Sequence, residues 1–310
     1  MKRFIIKLIA ISAIGAGVLW SLALVLDRQP YKDQNNVFFW ALAHQDAHLD
    51  IAFVGSSRVA NMIDPAAFDA VAGTRSINLG VGGGTAVDSY LLLKKFLEKN
   101  QVDAVILNID YLTISNFFDL PFRASAWSLY LDDEEVYDAY QKIHGPNKAS
   151  LLKYAPTIRH FEHGHEYRYY LFNDPPDSSR LDATQGARLK DSAAHQAAYQ
   201  YRITKADPLA MEYLEKTIAL CQEKGINLIL VRGPFHPQVD DFADRSASNQ
   251  TIRKLMTEHD LVLLDYAELF PNDDAFFNLN HTKSEPSRHY STELAKAFQD
   301  LNSANQDGEK

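Results

Sequence analysis

The chain has 310 residues, 46% of them hydrophobic and 23% charged, with a formal net charge of -9; that length and balance suit one large folded domain or two small ones and exclude a disordered chain. The negative balance, with no basic stripe interleaved with aromatics, argues against nucleic acid as a partner and against general attraction to anionic lipid. A single cysteine, Cys221, excludes an internal disulfide framework and thiolate-built zinc or iron-sulfur centres, and its neighbours Ile218, Ala219 and Leu220 suit a small buried hydrophobe.

Met1, Lys2 and Arg3 precede an apolar run from Phe4 to Leu26 that is broken only by Lys7 and small hydroxyls. At about 1.5 Å per residue such a helix crosses a hydrocarbon layer of roughly 30 Å, and Lys7 is close enough to the basic end to reach the interface. The run is longer than the apolar core of an export signal and lacks a clear small-x-small cleavage site before Asp27. Residues 1–26 therefore predict a membrane anchor, with a cleaved signal as the alternative. The basic leading side predicts a single pass of a bacterial-type inner or cytoplasmic membrane, with the folded part periplasmic or extracellular.

Residues 27–49 form a polar linker and packing segment, after which short apolar runs alternate with helical patterns. Ile51 to Val54, Arg75 to Leu79, Ala104 to Ile109, Ile226 to Val231 and Leu261 to Leu264 predict strands. Continuous apolar runs suit strands buried on both faces, so a mainly parallel five-stranded sheet between helical layers is expected, a three-layer α/β/α sandwich. Thr85 to Glu98 and Leu209 to Glu223 show three- and four-residue apolar spacings, the second stopping at Lys224-Gly225. Pro286 introduces a last helix near Ser287, and residues 301–310 predict a flexible tail. From about 113 to 207 the alternation fails. Nearly a hundred residues is too much for an ordinary crossover, which predicts a largely helical insertion over the carboxyl ends of the strands.

Three stretches place chemistry at those strand ends. In FVGSSR, residues 53–58, Gly55 marks a sharp turn after the first strand, and the serines stand where they either cap the next helix or present a nucleophile. In NLGVGGGT, residues 78–85, successive glycines either pack helix against sheet or aim N–H groups at an anion. The run has neither the GxGxxG register of a dinucleotide site nor the GK[ST] ending of a P-loop, so no cofactor is expected. In NLNH, residues 278–281, His281 precedes the last helix, where a histidine serves as a general base or sits as a loop residue. The histidine-rich HFEHGHE, residues 160–166, lacks HExxH spacing and predicts a solvated loop rather than a metal site. The tyrosines after it suit packing or a carbohydrate-facing groove.

Taken in order, GSSRV, NLGVGGGT and NLNH followed by Tyr290-Ser291 and Leu294-Ala295 resemble the SGNH/GDSL hydrolase superfamily, and in particular its membrane-associated branch related to alginate O-acetyltransferases and the D-alanyl transfer protein of teichoic-acid modification. The resemblance covers residues 50–111 and 208–299, within a domain spanning 50–300, and implies a flavodoxin-like sheet. It further implies Ser57 as nucleophile, its own N–H and that of Gly83 as oxyanion donors, and His281 as base. The family's third block is altered to VILNIDYLTISN, which leaves its oxyanion asparagine between Asn108 and Asn116. Its Asp-x-x-His is also altered, because Asn278 stands where the carboxylate belongs. Either Asn278 or a backbone carbonyl orients His281, or Asp273 or Asp274 replaces the missing acid, or efficient hydrolysis has been lost. Arg58, Asn108, Arg232 and His236 are further expected to meet substrate, with charge pairing within the edge loops as the alternative for the two arginines. The implied activity is that of a serine esterase or O-acyltransferase on cell-envelope polysaccharide or its acyl substituents, working with membrane acyl-transfer machinery. The alternative is a catalytically silent polysaccharide-binding or envelope-assembly protein using the same cleft.

Overall fold

The computed structural model describes residues 2–27, 37–111, 113–114, 124–155, 158, 179–191, 206–238 and 245–308. In chain order its elements are α1 (Lys2–Asp27), α2 (Val37–Ala43), β1 (His48–Val54), α3 (Ser57–Met62), α4 (Pro65–Ala72), β2 (Ser76–Asn78), α5 (Ala86–Leu97) and β3 (Gln101–Asn108). There follow α6 (Ala124–Trp127), α7 (Glu134–His144), α8 (Pro146–Tyr154), α9 (Ser179–Ala183), α10 (Pro208–Lys224), β4 (Asn227–Arg232), α11 (Arg245–His259), β5 (Val262–Asp265), β6 (Phe276–Asn278), β7 (His281–Thr282) and α12 (Ser284–Gly308). They divide between two compact units, Asn35–Phe122 with Ser178–Lys310, and Met1–Gln34 with Arg123–Asp177.

In the larger unit the five predicted strands form one parallel sheet in the order β2-β1-β3-β4-β5. This is the flavodoxin-like order, whose switch point lies where β1 meets β3. Alternate side chains build two cores, as the two-residue period of a strand requires. Ile51, Phe53, Ala104, Ile106, Ile229 and Val231 pack one face against Val59, Met62, Phe68, Leu294 and Phe298 of α3, α4 and α12. Phe68 meets Phe53 edge to face at 5.0 Å and tilts against Phe298 at 5.7 Å. Helices α5 and α10 form the other layer, joined by a T-shaped Tyr90–Tyr213 contact at 5.5 Å. The α/β/α sandwich follows.

Local chemistry accounts for where the helices start and stop. Asp64 caps α4, accepting from Ala66 N at 3.1 Å, and Gly73 ends it with φ 72°. Thr85 and Asp88 form a reciprocal capping box on α5. Asp207 and Pro208 open α10, and Gly225 closes it with φ 66°, the left-handed conformation that glycine adopts without strain. α12 begins at Ser284 rather than near Ser287, with Pro286 in its first turn, where a missing N–H leaves no bond unmade. It continues to Gly308.

Residues 179–191 belong to the α/β unit. Trp40 Nε1 then donates to Asp182 at 2.7 Å, and Asn78 N to Gln185 O at 2.8 Å. In the smaller unit, Trp127, Leu131, Val136, Tyr140, Ala149 and Leu152 are buried among α6, α7 and α8. Helix α1 in that unit is long and apolar enough to cross a membrane and leaves Phe4, Ile6, Ile9 and Ile14 exposed.

Cys221 is fully buried on α10, and burial pushes its thiol up to about 12. At pH 8 the native thiol should be inert to iodoacetamide and become labelled only on unfolding. Mass spectrometry before and after denaturation checks this, and rapid labelling of the native chain would contradict the burial.

Candidate active site

β1 delivers the chain to Gly55, whose φ of 153° and crowded surroundings leave no room for a side chain: a Cβ there would come within 2.7 Å of Val59 Cγ2. Ser56 then caps α3, its Oγ accepting from Arg58 N at 3.3 Å. Ser57 is the first residue of the helix, and its hydroxyl turns instead to His281. The Ser57 Oγ to His281 Nε2 distance is 2.8 Å. The two serines thus divide between capping and display.

His281 reaches that position from a small hairpin in which β6 and β7 pair antiparallel, Asn278 opposite His281. Asn278 Oδ1 accepts from the backbone N–H of Asn280 at 2.9 Å and of His281 at 3.0 Å, and lies 3.0 Å from His281 Nδ1. Because two backbone donors identify that atom as the oxygen, the nearby ring nitrogen must be the protonated one. Nε2 is left as an acceptor for the Ser57 hydroxyl. The Phe277 ring stacks on the imidazole at 5.2 Å and 9°. Neither Asp273 nor Asp274 takes the place of the missing acid. Asp273 lies 3.5 Å from His236, and the Asp274 carbonyl accepts from Lys283 Nζ.

Although His281 as a residue keeps some accessible surface, the enclosure of its ring pushes its pKa down to about 3, with the Arg58, Lys190 and Arg188 cations adding to the effect. At neutral pH it is a free base of low proton affinity.

The segments carrying the pair are tied together behind it. Asn78, fully buried at the end of β2, donates to Val59 O at 2.9 Å and Ile63 O at 3.0 Å and accepts from Gly80 N at 2.9 Å. Gly80 lies so close to the Ala60 backbone that any Cβ would overlap it. On α12, Ser287 bonds Thr282 at 2.7 Å and donates to Asn61 O at 3.3 Å, while Ser291 Oγ accepts from Asp64 N at 2.8 Å.

Arg58 is not a surface cation waiting for substrate. It is 2% exposed, its Nε lies 2.8 Å from Asp110 Oδ2, and it donates to Asn280 O at 2.9 Å, Gly233 O at 2.9 Å and Pro234 O at 2.7 Å. Its guanidinium also lies over the Phe235 ring at 4.6 Å. Asn108 serves the same cluster, donating to Asp110 at 2.9 Å and accepting from Gly233 N at 3.4 Å. Arg232 faces Asp265 across β4 and β5 at 3.3 Å, and His236 is 1% exposed against Phe276 with Nδ1 accepting from Gln238 N at 3.2 Å. Each of these four residues has a hydrogen-bond or ion-pair partner within the protein.

The Ser57 N–H makes no hydrogen bond among the described residues. Gly83 is the exposed left-handed residue, φ 68°, of a turn closed by Gly84 N to Val81 O at 2.8 Å, and its N–H is likewise uncommitted. Asn116, the other asparagine considered for an oxyanion role, and HFEHGHE lie outside the described residues. Among the described residues no cluster of three or more His, Cys, Asp or Glu is arranged to hold a metal ion.

Sequence reading missed Asp110 and the stretch from Ala187 to Asp191. The latter crosses beside the site. Arg188 N donates to Ala60 O on α3 at 2.6 Å, and Asp191 Oδ1 accepts from Ser284 N at the start of α12 at 3.2 Å.

A protein-family model that carries no descriptive name matches residues 157–303, less than half of the chain. No curated protein matches the sequence significantly. Among solved structures the chain is similar to a lipase/acylhydrolase from Enterococcus faecalis, at 12% identity and a TM-score of 0.38, covering 82% of this chain and 96% of that one. It is similar also to a protein assigned as an arylesterase from Agrobacterium tumefaciens str. C58, at 12% identity and a TM-score of 0.37, covering 82% and 99%. Overlap this slight assigns neither family nor activity to the chain.

Removing one member of a buried ion pair leaves the other charge without compensation, at a cost of about 3–5 kcal/mol. Arg58→Met or Asp110→Asn should therefore destabilise the α/β unit strongly in denaturant titrations of the detergent-solubilised chain. A loss smaller than about 1 kcal/mol, the range of an exposed pair, would show the cluster to be dispensable.

Proposed function

We propose that the chain is an SGNH-like serine acyl-ester hydrolase or O-acyltransferase acting on cell-envelope polysaccharide or its acyl substituents. The observation that carries this reading is the 2.8 Å approach of Ser57 Oγ to His281 Nε2, with Asn278 fixing the tautomer from the far side. Nε2 takes the hydroxyl proton as Oγ attacks the ester carbonyl, and the Ser57 and Gly83 amides stabilise the oxyanion. The proton then passes from Nε2 to the leaving alkoxide. Water attacking the acyl-Ser57 completes hydrolysis; a sugar hydroxyl in its place completes transfer. The apolar α1 and the motif resemblance support an envelope setting, with membrane acyl-transfer machinery as the donor side.

A second reading, a silent binding protein, is favoured by Asn278, because an amide does not stabilise imidazolium as a carboxylate does. The handicap is nonetheless smaller than in serine proteases, where the Asp-to-Asn change gives the wrong tautomer and lowers turnover about 10⁴-fold. Here the tautomer is correct and only the charge is missing.

Fluorophosphonate labelling followed between pH 4.5 and 8 separates these readings. The wild type should label at Ser57, with no inflection near 6.5, the usual histidine value, because His281 stays neutral down to about pH 3. Ser57→Ala should not label at all. Asn278→Asp places a negative charge against Nδ1, so the acid limb should move up toward the ordinary histidine range and the rate at pH 7.5 should rise about tenfold or more. Labelling confined to Asn278→Asp would support the silent reading; no Ser57-dependent adduct in either protein would sink the nucleophile.

A further inference from the structure

The smaller unit carries apolar surface that its own packing leaves uncovered. Helix α8 packs against α7 and buries Ala149 and Leu152. Leu151 and Tyr154 lie on its other side, 49% and 68% exposed, and their three-residue spacing places them on one face. A turn closed by Ile158 N and Ala155 O at 2.8 Å then brings on Ile158, also exposed. Lys153 stands beside this face, its Nζ 4.3 Å from the centre of the Tyr137 ring and 6.0 Å from that of Tyr154. Outside α1, the large hydrophobic side chains left exposed among the described residues are these three and Val262. All but Val262 belong to the unit that contains α1, although the other unit is much the larger.

Scattered apolar residues at a surface need no explanation, but a cluster marks a contact. What covers this one is indicated by its company. The same unit holds a helix of membrane-spanning length and composition. Phe4 to Leu22 is exposed along that helix, whereas Ala23 is fully buried, so folded protein closes on α1 where its apolar span ends. Protein that begins there stands at the level of the lipid headgroups. Tyrosine and lysine suit that level, because a ring or an aliphatic stem sinks toward the acyl chains while the hydroxyl or ammonium stays in water. Taking α1 as a retained span, we propose that Leu151, Tyr154 and Ile158 dip into the surface of the membrane that α1 crosses. The contact is apolar, as suits a chain of net charge -9. A single helix sets the height of the unit above the bilayer but leaves its tilt free. The second contact fixes which face the unit turns to the lipid.

Spin labelling of the full-length chain in lipid nanodiscs tests this. Cys221 is buried and does not compete for the label. Leu151→Cys, Tyr154→Cys, Ile9→Cys and Val262→Cys each add one reactive thiol at an exposed position, where replacement is tolerated. Molecular oxygen concentrates in lipid and a nickel chelate stays in water. Labels on Leu151→Cys and Tyr154→Cys should collide several-fold more with oxygen and several-fold less with nickel than the label on Val262→Cys, approaching Ile9→Cys. Water-like collisions at both α8 positions, with lipid-like collisions at Ile9→Cys, overturn the interfacial contact and leave the span in place. Water-like collisions at Ile9→Cys overturn the span and the contact together. Low collision with both probes on α8 shows that protein covers the face and also overturns the lipid contact; spin–spin broadening would then identify a second copy as the cover.

Discussion

A guanidinium buried beneath the strand ends joins the parts of this site. Arg58 extends from the helix that presents Ser57 to Asp110 after β3, to the Gly233 and Pro234 carbonyls after β4, and to the Asn280 carbonyl in the turn that carries His281. These segments are distant in sequence, and the guanidinium is a partner common to all of them. The desolvation of a buried cation is severe, and it is tolerable here because a carboxylate and several carbonyls converge on it. Asp110 is itself held by Asn108 Nδ2 and by Thr113 N and Oγ1 at 2.9, 3.0 and 3.2 Å. Moving any one of these loops strands a charge or a donor in the interior. Buried polar networks of this kind fix geometry more than they add stability.

The same economy explains the glycines. Gly55 and Gly80 stand where another backbone or a β-branched side chain comes too close for a Cβ, so their absence of side chain lets α3 seat directly on the sheet edge. Asn78 completes the contact by holding two carbonyls of the α3 region and one amide of the glycine loop. Packing at this edge is what allows a six-residue helix, too short to be stable alone, to hold a hydroxyl in a defined direction. The glycine run thus has a packing role at Gly80, while Gly83, at an exposed turn, is the position left over for ligand chemistry.

Much of this framework was legible because it depends on local pattern. The strand cores were visible as apolar runs, but β1 and β3 start earlier than those runs, at His48 and Gln101, where the residues are not yet buried on both faces. Hydrophobicity marks only the doubly buried part. Strands β6 and β7 are too short to show a period and exist because Asn278 folds the turn between them. Local pattern alone left Ser56 and Ser57 equivalent, and the preference for Ser57 came from the motif resemblance; in the structure Ser56 caps α3 and the Ser57 hydroxyl faces His281. Asp110 was not legible, because nothing local distinguishes an acid destined for a buried arginine from one in a solvated loop. The return of residues 179–191 to the α/β unit was hidden for a related reason: its bonds run through backbone groups and single polar side chains to partners far away in sequence.

A carboxylate beside a catalytic histidine does two things together. It selects the ring tautomer and orientation, and it lowers the energy of the imidazolium that forms. In this chain the two are separated. Asn278 performs the first completely, since its oxygen is fixed by two backbone N–H groups before it meets Nδ1. The second is absent, and enclosure together with Arg58, Lys190 and Arg188 acts against it. Geometry and proton affinity are therefore independent variables at His281. A correct geometry with low proton affinity makes a pair that is assembled yet reluctant, and a change in local charge acts on the reluctance without having to build the geometry.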